Sequence, residues 1–128
     1  MLFRSKNPEW FDVIVVENMF GDIITDLGAM IQGGMGVAAS GNINPEGTSM
    51  FEPIHGSAPK YAGTNKANPI ACIAAMGMLL DHVGATQAAA RIDAAIAELL
   101  GSGKIPDLSA GKCPPTSDIG DMLAAAVA

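Results

Sequence analysis

Aromatic side chains and clustered basic charge are what this sequence has least of. Phe, Trp and Tyr make up 5% of 128 residues, with a single Trp10 and a single Tyr61, so the core must be mostly aliphatic. Lys and Arg number seven against thirteen Asp and Glu, a net charge of −6, and the seven never cluster. Nucleic-acid binders normally present a basic surface, so that class of partner is excluded. Cysteine is limited to Cys72, inside a helical pattern, and Cys113, beside prolines. Two thiols in such unlike settings read as reduced cysteines of a cytosolic protein, not as a disulfide framework. No apolar run reaches the ~18 residues that span a bilayer. The N-terminus lacks the apolar region and cleavage site of a signal peptide. A soluble, cytoplasmic protein without membrane or nucleic-acid partners is expected.

What is present suits about one modest domain: 49% of the residues are hydrophobic, with abundant Ala, Gly and Met. The opening is unusual. "MLFRS" runs directly into "KNPEWFDVIVVE", where residues 13–16 read as a β-strand of the buried type. A domain rarely begins on a buried strand with nothing before it to pair with, so the chain is expected to be the C-terminal part of a longer protein. Residues 1–5 read as a non-native leader, because "LFRS" is what one frame of a common sequencing-library adapter end would encode.

Residues 19–32 place Met19, Phe20, Ile23, Leu27, Met30 and Ile31 at helical spacing, and the glycines at 33, 34 and 36 end that helix. Residues 37–67 are rich in turn formers and read as loop, interrupted by a short strand at 49–52. Asn68-Pro69 is a helix start, an Asn cap followed by Pro in the first turn. That helix continues through Ile70, Ile73, Met76, Leu79, Leu80 and Val83 to Gly84. A further helix spans 86–100, facing Ile92, Ile96, Leu99 and Leu100 inward. After a loop at 105–115, a capped terminal helix follows, with Thr116 or Ser117 at its start. Alternating helices and strands make the class α/β.

Three constellations could carry chemistry. Asp22 and Asp26 stand one helical turn apart, so both carboxylates project from one face with no Lys or Arg within a turn. Hard divalent cations take such oxygen ligands, although spacing alone more often marks a solvated acidic face. The glycines at 33–36 follow a helix where a dinucleotide fingerprint needs a preceding strand, so that motif is rejected. The segment 52–68, "EPIHGSAPKYAGTNKAN", is more specific. Ser57, Ala58 and Gly63 permit close backbone approach, Pro53, Pro59 and Pro69 stiffen the path, and Asn68 sets a helix N-terminus beside it, where free N–H groups favour anions. Such a loop can clamp a nucleotide. His55 can stack on a flat heterocycle or simply tie the loop together. Cys72 reads as structural, and His82 as a partner of its helix dipole.

"ENMFGDIITDLGAMIQGGMGVA", "GNINPEGTSMFEPIHGSAPKYAG" and "KANPIACIAAMGMLLDHVG" together resemble the β-decarboxylating dehydrogenases, the isopropylmalate, isocitrate, homoisocitrate and tartrate dehydrogenases. The resemblance covers roughly residues 9–128. It implies a two-domain α/β/α fold that is not the Rossmann fold, with residues 6–36 in the smaller, dimer-forming domain and 37–128 in the larger, cofactor-binding one. It implies a metal- and NAD(P)-dependent oxidation of a 2-hydroxy acid followed by loss of CO2, performed by a homodimer. Asp22 and Asp26 match the family's ligands for Mg2+ or Mn2+. His55, Gly56, Ser57, Ala58, Pro59, Lys60, Tyr61, Ala62, Gly63 and Asn68 match its cofactor loop, and Glu52 would lie nearer the nicotinamide. The isopropylmalate branch, of leucine biosynthesis, is the first expectation. The tartrate/malate and isocitrate/homoisocitrate branches are alternatives, as is a non-catalytic nucleotide-binding remnant. One departure matters: Lys60-Tyr61 stands where NAD-using members carry an acidic residue and resembles the pair by which NADP-using members hold the 2′-phosphate. NAD or NADP is therefore left open.

The resemblance sets the family's catalytic tyrosine and lysine, and its substrate-gripping arginines, upstream of these motifs. The 128-residue polypeptide by itself is therefore expected to be inactive, with no catalytic residue of its own. Turnover of any 2-hydroxy acid by the purified polypeptide above background contradicts this.

Overall fold

The computed structural model describes residues 8–108 and 112–128; the leader read at residues 1–5 lies outside them. A short 3-10 turn at Pro8–Trp10 leads into residues 11–17, which adopt no regular structure. The strand expected at 13–16 is not formed. Val13 and Val15 are 81% and 91% exposed, and the two strands found among the described residues pair only with each other. An apolar β-pattern becomes a strand only when a neighbour supplies its hydrogen bonds.

Helix α1 covers Asn18–Ile31. Its end follows from two glycines: Gly33 and Gly34 take φ of +120° and +101°, and the Gly34 N–H returns to Ala29 O at 2.8 Å. That bond belongs to the Schellman ending, which favours residues without a Cβ. Only Ala29 of α1 is buried, and the stripe of Met19, Phe20, Ile23, Leu27, Met30 and Ile31 is exposed.

Two antiparallel strands follow, β1 at Ala39–Asn42 and β2 at Met50–Pro53, with Gly41 opposite Phe51 and Asn42 opposite Met50. Sequence patterning finds β2 within one residue but misses β1, reading Gly41 and Asn42 as turn formers. Gly41 instead serves a close approach: a Cβ there would meet the Phe51 ring at 2.9 Å. Strand glycines often mark such contacts. The connecting loop closes on Asn44, whose Oδ1 accepts the Glu46 N–H at 3.0 Å.

Three helices complete the chain: α2 at Ile70–His82, α3 at Thr86–Gly101 and α4 at Thr116–Val127. The hairpin and α3 both pack on α2, and α4 packs on α3. The main core joins Ile70 of α2, Ala95 and Leu99 of α3, Ile105, and Ile119 and Leu123 of α4. Ile70 and Ile119 are 1% and 0% exposed. Gly77 lets α2 and α3 approach closely, since a Cβ there would stand 3.4 Å from the Ile92 side chain. Cys72, expected to be structural, is exposed on α2. Its neighbour Ala71 takes the buried position instead.

The expected cap of α4 is also supplied differently. Thr116 is already helical and Pro115 precedes it without a side-chain cap, so the first N–H groups of α4 find a partner elsewhere. Asn65 provides it, its backbone O accepting from Thr116 N–H at 3.0 Å and its Oδ1 from Ser117 N–H at 3.1 Å.

Truncating a fully buried isoleucine removes its burial energy and leaves a cavity. Ile119→Ala is expected to cost about 2–5 kcal/mol, lowering the melting temperature by roughly 8–20 °C. Thermal unfolding checks this, and an unchanged midpoint contradicts the central place given to Ile119.

Candidate functional site

The 52–68 segment folds over the N-terminus of α2. Glu52 is exposed on β2, and its carbonyl accepts a hydrogen bond from Ser40 Oγ at 3.3 Å. His55 follows, half-buried, with Nδ1 2.9 Å from Gly56 O, so the ring donates to its own loop. Gly56, Ser57 and Ala58 are exposed, and Ala58 holds φ of +42°. A non-glycine residue in that region costs energy and persists only where its surroundings impose it. Here a 3-10 turn at Pro59–Tyr61 follows at once, with Tyr61 N–H donating to Ala58 O at 2.9 Å. Within it the Lys60 ammonium lies 4.9 Å from the centre of the Tyr61 ring, a cation–π contact. Ala62 ends the turn and Gly63, at φ +71°, redirects the chain.

Asn68 closes the segment and is 7% exposed. Its Oδ1 accepts the Ile70 N–H at 3.0 Å, which satisfies one free donor at the start of α2. Its Nδ2 is buried with no hydrogen-bond partner among the described residues. A buried unsatisfied donor is costly, so it marks a place where a ligand acceptor or a water belongs.

The structure brings His55, Ala58, Tyr61 and Asn68 together along one cavity of about 760 Å3. Gly33, Gly34, Met35 and Gly36 form a second wall, and residues 105–108 a third. Gly36 keeps the cavity open beside Asn68, because a Cβ there would stand 3.4 Å from Asn68 Nδ2. Apolar walls with one convergent amide and one imidazole suit a flat heterocycle. An adenine-type group therefore fits the residues present. Lys60, Glu52, Gly56 and Ser57 do not line the cavity, and the Lys60 ammonium lies against the ring of Tyr61, which does.

Sequence reasoning rejects 33–36 as a dinucleotide fingerprint, and among the described residues no strand precedes those glycines. Their place in the cavity wall was missed because it comes from the chain reversal after α1, which no local motif encodes. Ile105 and Leu108 were missed for the same reason.

Asp22 and Asp26 lie apart from this cavity on the exposed face of α1. Asn18 Nδ2 donates to Asp22 Oδ2 at 3.4 Å, and neither carboxylate has an ion-pair partner among the described residues. Two hard oxygen donors one turn apart fit Mg2+ or Mn2+ in kind, but such ions need more ligands than two. No group of three or more His, Cys, Asp or Glu able to hold a metal occurs among the described residues. His82 packs its ring on Phe51, centroids 5.3 Å apart, and so has a structural role beyond the helix dipole.

The chain belongs to the isocitrate/isopropylmalate dehydrogenase family, whose model matches residues 3–123. The family is metal- and NAD(P)-dependent. Among curated relatives, a 3-isopropylmalate dehydrogenase of Nocardia farcinica is 56% identical over 124 residues, 94% of this chain and 35% of the relative. Another, from Streptomyces coelicolor, is 54% identical over 130 residues, 99% of this chain and 36% of the relative. The chain thus spans about a third of their length. Among solved structures, an isocitrate dehydrogenase from Methylococcus capsulatus superposes with a TM-score of 0.87 at 38% identity, over 98% of this chain and 38% of that one. A β-decarboxylating dehydrogenase from Thermococcus kodakarensis gives 0.83 at 36%, over 98% and 37%. No helix among the described residues is long and apolar enough to cross a membrane.

Because its orphaned Nδ2 offsets the benefit of its cap, Asn68 contributes little to stability by itself. Asn68→Ala is expected to lower the unfolding free energy by less than ~1 kcal/mol, measured by chemical denaturation. A loss above ~2 kcal/mol would mean that Nδ2 already has a partner in the free protein.

Proposed function

We propose that this chain is the cofactor-binding part of a metal-dependent 3-isopropylmalate dehydrogenase that acts as a homodimer. The observation that carries the reading is the level of identity to relatives of that name, 54–56% over at least 94% of this chain. A nucleotide-sized cavity built on the segment that matches the family's cofactor loop supports it. In this reading residues 37–128 belong to the larger domain and residues 6–36 to the dimer-forming one, whose exposed apolar stripe on α1 is free to be covered.

Each residue has a definable task. Asn68 would offer its amide to a ring acceptor, His55 and Tyr61 would flank the adenosine half, and the Gly56–Gly63 backbone would follow the cofactor. Glu52 would lie nearer the nicotinamide. A nicotinamide cofactor, when bound, would supply the hydride acceptor. Asp22 and Asp26 would contribute two carboxylates to a hard divalent cation, which polarises the substrate hydroxyl as a Lewis acid. The remaining ligands and the proton-transfer groups come from outside the described residues.

Lys60 bears on the choice of dinucleotide. It is exposed, and the stretch 55–63 contains no carboxylate to hold ribose hydroxyls or repel a phosphate. A 2′-phosphate would gain a charge-assisted contact there, which favours NADP. Lys60→Asp is expected to reduce kcat/KM with NADP roughly ten- to hundredfold relative to NAD, the range of a hydrogen bond to a charged group.

The test is steady-state turnover of the complete gene product with Mg2+ or Mn2+ on isopropylmalate, isocitrate and tartrate. Fastest turnover of isopropylmalate, with equimolar CO2 release, is expected. A preference for another acid overturns the branch, and binding of dinucleotide without turnover of any acid overturns the enzyme reading.

A further inference from the structure

The nucleotide loop is anchored near its end to a helix distant in sequence. Asn65 sits three residues before Asn68 in the left-handed region, at φ +56°. That conformation turns its backbone carbonyl and its side-chain amide onto the same target, the N-terminus of α4. Its O accepts the Thr116 N–H at 3.0 Å and its Oδ1 the Ser117 N–H at 3.1 Å, while its Nδ2 donates to Ser117 Oγ at 2.9 Å. Two further contacts tie the adjoining residues to the same place. Thr116 Oγ1 donates to Ala67 O, and Cys113 Sγ lies 3.8 Å from Lys66 O.

The other side of this clamp is fixed. Ile119 and Leu123 hold α4 in the core, and the Arg91 guanidinium of α3 donates to the Val127 and Ala128 carbonyls at its far end. Residues 65–67 are thus bonded to a helix held at both ends, immediately before Asn68 in the cavity wall. On the other side of Asn65, Thr64 N–H and Oγ1 return to Tyr61 O at 3.1 and 2.8 Å, so the turn that carries Lys60 is joined to the same anchor.

We infer that Asn65 is a positioning residue for the dinucleotide site: it caps α4 across the fold and thereby holds Tyr61 and Asn68 in their binding geometry before ligand arrives. The inference rests on the reading of residues 55–68 as the nucleotide loop. Without the clamp, the loop would be ordered at the expense of binding free energy, so affinity falls while the chemical step is unaffected. Glycine is the informative substitution, because it keeps the left-handed backbone and deletes only the side-chain bonds.

In the complete gene product, NADH and NADPH are titrated by fluorescence, and kcat and both KM values are measured, for wild type, Asn65→Gly, Ser117→Ala and the double variant. Asn65→Gly is expected to raise Kd and KM for the dinucleotide roughly five- to tenfold, as for loss of one or two net hydrogen bonds. The kcat and the KM of the hydroxy acid stay within about twofold, a split that general destabilisation would not give. Ser117→Ala, which removes the same bond from its other end, should have a smaller effect in the same direction. The double variant should match Asn65→Gly instead of adding to it. Wild type that binds dinucleotide while Asn65→Gly binds it equally well overturns the inference alone. Additive effects, or loss of kcat without loss of affinity, do the same. Wild type that binds neither dinucleotide overturns the reading of the loop and the inference with it. Should Asn65→Gly not fold, an unchanged Kd in Ser117→Ala still overturns it.

Discussion

The site depends on the burial of Ile70 and Ile119 in one core. Ile70 is the first residue of α2 and Ile119 lies in the first turn of α4, so sealing both from water fixes two helix N-termini near each other. Full burial of such a side chain contributes roughly 1.5–3 kcal/mol, enough to set the position of everything attached. The loop between Pro53 and Pro69 must then cross from the hairpin to α2 within the space those helices leave. Asn65, Ala67 and Asn68 of this loop hydrogen-bond to the two helix ends, accepting from Ser117 N–H, Thr116 Oγ1 and Ile70 N–H.

Much of this was legible in the sequence because the deciding signals are local. The spacing of Ile92, Ile96 and Leu99 gives α3 within a residue, and the glycines at 33 and 34 give the end of α1. Asn68 serves the start of α2 from one residue further out than expected: Pro69 holds the cap position, and the Asn68 Oδ1 accepts the Ile70 N–H across it, a short-range device. The failures have a common cause. Residues 13–16 carry a strand pattern, but hydrogen-bonding partners decide whether a strand forms. Gly41 looks like a turn residue, and only the Phe51 ring above it explains why glycine stands in a strand. Asn65 and Ser117 are 52 residues apart, and nothing in either neighbourhood announces their contact. The cavity was legible on one wall only, the 55–68 loop, because the glycine and 105–108 walls come from chain folding.

Charge distribution is consistent with a binding role for the loop. The chain is acidic overall, yet Lys60 and Lys66 fall within a few residues of the cavity and no carboxylate occurs between His55 and Asn68. The two aspartates of α1 are separate from this stretch, exposed and without an ion-pair partner among the described residues. An anionic ligand at the loop and a cation at the two aspartates would thus meet distinct local environments, each of complementary sign.

The central claim is that a dinucleotide enters the cavity defined by Asn68 and its neighbouring glycines. Amide hydrogen exchange of the complete gene product, with and without saturating NADPH, tests it most directly. The account predicts added protection at residues 33–36, 55–68 and 105–108, with the exposed face of α3 unchanged. Protection confined to other segments, with these three unaltered, would contradict it.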